Sequence, residues 1–219
     1  MTNIKRFITA MSAMGMMAAA IPAVAADGLE IDHLGVNNTL VRVTGGDQYL
    51  MLPVQESMDD ARINVLVDGK ISETIYVRLA KSKTDFLVPF DLSPYKGKNV
   101  IFDIVTPQSR SSVREAKEDT CWKGITLTET IDIQDNEQQY RPAFHHAPLY
   151  GWMNDPNGMF YKDGVWHLYY QYNPYGSKWQ NMTWAHSTSK DLINWNHEPI
   201  AIRPDGLGSI FSGSCVIDH

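Results

Sequence analysis

R-I-N-V-L-V-D-G-K-I-S-E-T-I-Y-V-R-L-A, residues 62 to 80, reads as two strands folded back on each other. Ile63, Val65 and Val67 alternate with polar or smaller neighbours, and Ile75, Val77 and Leu79 do so again. A period of two places each set on one face of a strand. Between them Asp68-Gly69 is a hairpin signal, because both central positions of the tight turn want positive φ. Working outward, Phe86, Val88 and Phe90 share the same period, as do Val100, Phe102 and Ile104, with a turn-rich break at 91 to 97. Short strands with regular breaks predict an antiparallel β-sandwich over residues 27 to 135. Residues 106 to 120 are polar and lack aromatics, which predicts an exposed loop, and Asp132 to Gln139 reads as a linker.

The first 26 residues differ in kind. Lys5 and Arg6 precede an apolar run from Phe7 to Ala20, followed by small residues at Ala23 and Ala25. This is the layout of a cleaved secretory signal, with the mature chain starting near Ala26 or Asp27. The run is short for a membrane span of ~20 residues, and Pro22 interrupts its end. The expectation is export to the periplasm or the extracellular space, with no stable membrane span after cleavage. The net charge of -6 argues against a nucleic-acid partner, whose phosphates call for a basic face. Cys121 and Cys215 fall in different regions and are expected as two free, buried thiols.

Beyond Tyr140 the composition shifts, with five of the six tryptophans between Trp152 and Trp195. Strands are expected at Met159 to Tyr161, Val165 to Tyr172, Met182 to Ser187 and Pro199 to Ile202, with turns at 162 to 164 and 173 to 176 and no helix. Ile210 to Ile217 would begin another sheet. Strands joined by short turns read as the start of a β-propeller.

One carboxylate stands out here, Asp155 in G-W-M-N-D-P-N-G (151–158). Pro156 pushes the residue before it towards extended conformations, and Asn157-Gly158 is expected to supply a tight turn. The carboxylate would be held at a strand edge by a backbone with few options. Alone, D-P-N-G equally suits an Asx turn. The neighbours change the balance. Trp152, Asn154, Gln171 and Trp179 provide aromatic and hydrogen-bonding groups suited to a sugar ring. Gln171 shares a strand face with His167 and Tyr169, and an amide among aromatics needs partners. His145 and His146 lack acidic or Cys companions at ligand spacing, so no metal site is expected. His167 and His186 are expected in the interior of the sheet.

G-W-M-N-D-P-N-G, Y-Y-Q-Y-N-P, W-Q-N-M-T-W-A-H-S-T-S-K-D-L-I-N-W and F-S-G-S resemble, in order and spacing, successive motifs of glycoside hydrolase family 32, which holds levanases, invertases, inulinases and fructosyltransferases. The resemblance covers residues 140 to 219. It implies an all-β chain: an N-terminal β-sandwich, then the first blade and the start of the second of a five-bladed β-propeller, truncated. It implies a retaining β-fructosidase acting on fructans or sucrose. Asp155 would be the nucleophile. Asn154 and Gln171 would bond fructose hydroxyls, Trp152 and Trp179 would line the pocket, and Phe211 and Ser212 would close its edge. No metal or organic cofactor is implied.

The family's acid/base Glu lies in an E-C motif and a third carboxylate in R-D-P. Neither occurs here, Arg203-Pro-Asp205 being a different order. The expectation is an incomplete catalytic domain, inactive as these 219 residues. A noncatalytic secreted module, fructan-binding or structural, and a transferase of the same family are the other readings.

Overall fold

The computed structural model describes residues 28–107, 111–131 and 141–216. The signal-peptide reading, the linker at 132–139 and the end of the 210–217 segment lie outside or partly outside these residues.

The hairpin at residues 62–80 forms as its pattern predicts. Strands β4 (Ala61–Val67) and β5 (Lys70–Val77) pair antiparallel, and Asp68 and Gly69 take φ of 50° and 79°. Leu79 falls just outside β5 and forms an isolated bridge with Val54. With β1 (Leu29–His33), β2 (Asn38–Val43) and β7 (Val100–Val105) they build a five-stranded sheet in the order β1-β2-β7-β4-β5. A second sheet has the order β6-β3-β8, from β3 (Tyr49–Val54), β6 (Phe86–Asp91) and β8 (Thr126–Thr128). The inward residues of both sheets, among them Val41, Ile63, Phe102, Leu52 and Phe90, share one hydrophobic core. Burial of such side chains is worth roughly 1.5–3 kcal/mol each, so this shared core is the main stabilising term.

One expectation fails here. The polar stretch at 106–120 is not simply an exposed loop. It carries helix α1 (Val113–Lys117), and α2 (Thr120–Gly124) follows at once. Ser112 caps α1 by accepting from the Glu115 amide at 3.2 Å. Ala116, Cys121 and Trp122 are buried, and Trp122 Nε1 donates to the Ala116 carbonyl at 2.7 Å. Cys121 and Trp122 of α2 pack into the shared core. The inward parity of β5 also includes an acid that the sequence reading did not address. Glu73 is only 1% exposed, and its Oε1 accepts from the Tyr95 hydroxyl at 2.7 Å.

Residues 152–202 form a third sheet, four antiparallel strands in the order β12-β11-β10-β9. They are β9 (Trp152–Lys162), β10 (Val165–Asn173), β11 (Thr183–Ser189) and β12 (Trp195–Ile202). Asp163-Gly164 makes a tight hairpin with φ of 52° and 85°. Ile210 to Ile217 was expected to begin another sheet, but the described part of that segment, 210–216, forms no strand.

The third sheet is joined to the first two by more than chain connectivity. Tyr175, in the turn after β10, enters the N-terminal core and stacks on Phe90 at 5.9 Å between ring centroids. Arg203, just past β12, reaches Glu73 at 3.8 Å and Asp91 at 3.3 Å.

Candidate functional site

The strand that carries Asp155 is the edge of its sheet, and it is irregular. Met153 faces Tyr172, Pro156 faces Tyr170 and Gly158 faces Tyr169. From 153 to 156 the chain spends three steps against two on β10, and from 156 to 158 two steps against one. Each interval therefore holds one extra residue, as in a β-bulge. Pro156, which cannot donate to a ladder, sits between the two irregularities on an edge strand, where its missing N–H costs least.

The expected tight turn at Asn157-Gly158 is not there. Pairing with β10 overrides the local turn preference and keeps both residues within β9. Gly158 still serves a special backbone. Its φ is 151°, and a Cβ would stand 2.6 Å from the Cys215 amide nitrogen.

Asn157 was not singled out by sequence reasoning, yet it organises the site. It is 1% exposed. With its amide oxygen facing the available donors, it accepts from Trp184 Nε1 at 3.0 Å and from the Gln171 backbone at 3.2 Å. Trp184 Nε1 also lies 3.0 Å from the Phe211 carbonyl, and Gln171 Nε2 donates to the Ile210 carbonyl at 3.0 Å. The Ile210 amide in turn donates to the Met182 carbonyl at 2.9 Å. These bonds hold the 210–213 segment against the sheet without a ladder. Gly213 permits the approach, since a Cβ there would come within 2.9 Å of the Trp184 ring.

The result is a contact across the chain. Ser212 Oγ donates to Asp155 Oδ2 at 2.6 Å. Both side chains are exposed, as is Phe211. Trp152 Nε1 donates to Asn154 Oδ1 at 3.2 Å, so the aromatic orients the amide beside the carboxylate. Gln171, expected to touch ligand, is instead buried behind the segment it holds, and its Oε1 has no hydrogen-bond partner among the described residues. Trp179 is half exposed on the turn after β10 and makes no hydrogen bond or ring contact with the others among the described residues.

Beside this cluster, on the face of Gln171 and Trp184, runs a row of stacked rings. Phe160 and His167 lie 4.8 Å apart, His167 and His186 5.2 Å, and His186 and Tyr169 4.4 Å. His167 Nδ1 and His186 Nε2 are hydrogen-bonded at 3.0 Å, and burial with the neighbouring His167 lowers the His186 pKa. Both histidines are half-buried rather than interior. On the opposite face His146 bonds Ser187 Oγ at 2.9 Å and packs against Tyr170, Trp195 and His197. Burial, then His197 and Arg141, push its pKa down to about 4. His145 is exposed, and no cluster of metal-ligating side chains forms among the described residues. Cys121 is buried, as expected, whereas Cys215 is only half-buried against Gly158.

Among the described residues, the other acids after Asp155 lie in turns or make local contacts. Asp163 turns the β9–β10 hairpin. Asp191 accepts from Ser189, from the Ile193 and Asn194 amides and from the Asn194 side chain, bonds that hold its carboxyl far below the usual range. Glu198 accepts from Thr188 at 2.7 Å, and Asp205 from the Leu207 amide at 2.8 Å.

Comparison with known proteins divides the chain in two. Residues 35–144 match a Domain of unknown function (DUF4980), and residues 145–219 match the Glycosyl hydrolases family 32 N-terminal domain. A levanase of Bacillus subtilis is 50% identical over 97 residues, 43% of this chain and 14% of that protein. An invertase of Schwanniomyces occidentalis is 47% identical over 106 residues, 46% of this chain and 20% of that protein. The crystal structure of an exo-inulinase from Aspergillus awamori aligns with a TM-score of 0.35 at 46% identity, over 37% of this chain and 17% of that one, too partial to bear on architecture. The chain thus spans between 14% and 20% of the length of the two curated relatives named.

Proposed function

The chain belongs to the family of that domain of unknown function over residues 35–144 and, over residues 145–219, to the N-terminal portion of glycosyl hydrolase family 32, and from this premise we propose that it forms the first part of an exported, retaining β-fructosidase acting on fructans or sucrose. The 2.6 Å bond from Ser212 to Asp155 carries the reading. It joins the two motifs, G-W-M-N-D-P-N-G and F-S-G-S, that the resemblance assigns to one sugar pocket. In this reading Asp155 attacks the anomeric carbon and becomes the fructosyl ester. Asn154 binds a fructose hydroxyl, Gln171 sets the wall that presents Ser212, and Trp152, Trp179 and Phe211 line the pocket. The shared core of the first two sheets supports a β-sandwich accessory domain over 27–135, and the four-stranded sheet supports the first blade of a five-bladed propeller beginning near 140.

A retaining glycosidase works with two carboxylates ~5–5.5 Å apart, the second protonating the leaving oxygen. The carboxylates of Asp191, Glu198 and Asp205 are each committed to turn or strand contacts and Asp163 sits at the tip of the β9–β10 hairpin, so among the described residues none is a candidate for that role. General acid help is worth ~10²–10⁴-fold. These 219 residues alone are therefore expected to release no fructose, and for them a fructan-binding surface without turnover is the second reading. The test is fructose release from levan, inulin and sucrose by this chain and by one extended through the length its relatives have. The extended form should turn over and its Asp155→Asn variant should not. Turnover by the Asn variant would remove Asp155 from the mechanism.

A further inference from the structure

The turn after β10 is gripped at both ends by the N-terminal region, and a pocket residue rides on it. At the front, Tyr175 is buried in the core of the two N-terminal sheets, stacked on Phe90 at an interplanar angle of 16°. At the back, Asn181 closes an open sheet edge. β5 is an outer strand, so the peptide groups on its free side have no strand to bond. The Asn181 side chain answers one residue completely: Oδ1 accepts from the Tyr76 amide at 2.7 Å and Nδ2 donates to the Tyr76 carbonyl at 2.8 Å. Asn181 holds φ at 50° to do so. Gln180 adds a bond to Asp60 at 3.3 Å.

Asn173 couples these grips to the candidate site. Its Oδ1 accepts from the Tyr175 amide at 2.9 Å and from Asn181 at 3.0 Å, and its Nδ2 donates to the Lys178 carbonyl at 2.8 Å. In the β9–β10 register Asn173 faces Trp152. Between the grips only residues 177–179 are exposed, and Trp179 is the large side chain among them.

We infer that the N-terminal region is a positioning element of the carbohydrate site, with Tyr175 and Asn181 as the positioning residues that set Trp179 for a β-linked fructose chain. This rests on the reading of Trp179 as a pocket residue. It gives the domain of unknown function a specific task within the same molecule. An indole on a loose nine-residue turn would lose rotational and backbone freedom on binding a sugar, and a turn fixed beforehand avoids that cost.

The experiment follows the indole N–H resonances by NMR in the chain, that of Trp179 being assigned with Trp179→Phe. Asn181→Ala and Tyr175→Ala should each shift or broaden the Trp179 signal and leave those of Trp184 and Trp122 in place. Tyr175→Phe, which keeps the ring on Phe90, should restore the native spectrum. Titration with levan oligosaccharides should move the native Trp179 signal, and the two Ala variants should bind as weakly as Trp179→Ala. A Trp179 signal unmoved in both Ala variants overturns the inference, and so does a simultaneous shift of all three indoles, which marks general loosening. A native Trp179 that ignores levan while still obeying Tyr175 and Asn181 supports the anchoring and overturns the sugar-pocket reading instead.

Discussion

Ser212 and Asp155 lie 57 residues apart in the chain and 2.6 Å apart in the fold, and no strand pairing brings them together. Two side chains and one backbone bond do it: Gln171 and Trp184 donate to the Ile210 and Phe211 carbonyls, the Ile210 amide donates to Met182, and Asn157 accepts from Trp184 and the Gln171 backbone behind them. A hydrogen bond to a carboxylate is worth ~1.5–3 kcal/mol. In the extended enzyme Ser212→Ala should lower kcat/KM by roughly 10- to 100-fold, while Ser212→Thr, which keeps the hydroxyl, should retain most of it. Steady-state kinetics on sucrose and levan decide this. Equal loss in both variants would show that the hydroxyl is not what matters.

The Arg203 contact to Glu73 and Asp91 predicts a large stability effect. Burial raises the Glu73 pKa against the opposing pull of Tyr95 and Arg203. Removing the cation leaves a charge buried without compensation, a loss of about 3–5 kcal/mol for a fully buried pair. Arg203 keeps 20% exposure, so Arg203→Met should cost towards the lower end. Adding Glu73→Gln should recover part of it. Urea unfolding at neutral pH measures both, and a cost under ~1 kcal/mol for Arg203→Met would contradict the buried-pair account.

Gly158 should resist substitution although it lies in an exposed edge strand. Its φ of 151° disfavours any side chain, and a Cβ would strike the Cys215 backbone. Gly158→Ala should destabilise by about 1–3 kcal/mol. It should also displace Cys215, which faster labelling by a thiol reagent would report. Gly69→Ala, with open space around it, is the control that should change labelling little.

His146 makes stability depend on pH in a defined direction. Its pKa is about 4 in the fold against an ordinary 6.5, so the unfolded chain takes up its proton first. Its contribution is complete above about 6.5 and is lost as pH falls towards 4. His197, facing it with Arg141, is lowered in the same direction by burial. The thermal midpoint should fall between pH 6.5 and 5, before most carboxylates titrate, and His146→Gln should flatten that slope. Identical slopes would show that His146 is not among the groups responsible.

The turns and alternating strands were legible because they rest on local physics. Asp68-Gly69 and Asp163-Gly164 take positive φ as their residue types require. Helix α1 was missed although S-V-R-E at 112–115 carries a capping signature, with Ser112 accepting from Glu115. Glu73 was missed although it shares parity with Ile75 and Val77. An acid at an inward position asks for a partner, and Arg203 is too distant in sequence to suggest itself. The motifs that carry Asp155 and Ser212 were legible, and the fold brings those two side chains into contact. The roles of Asn157 and Gln171 were not, because they depend on a segment crossing the sheet.

The bulged edge of β9 has a second effect. A regular outer strand offers a continuous row of free amides and carbonyls, to which a strand from another molecule can add. On β9 that row is broken at Pro156 and on either side of it, within the stretch that presents Asp155. The distortion around Asp155 thus also withholds the edge from intermolecular pairing. Straightening it, by replacing Pro156 with a strand-forming residue and removing one extra position, would remove a barrier to self-association as well as misplace the site.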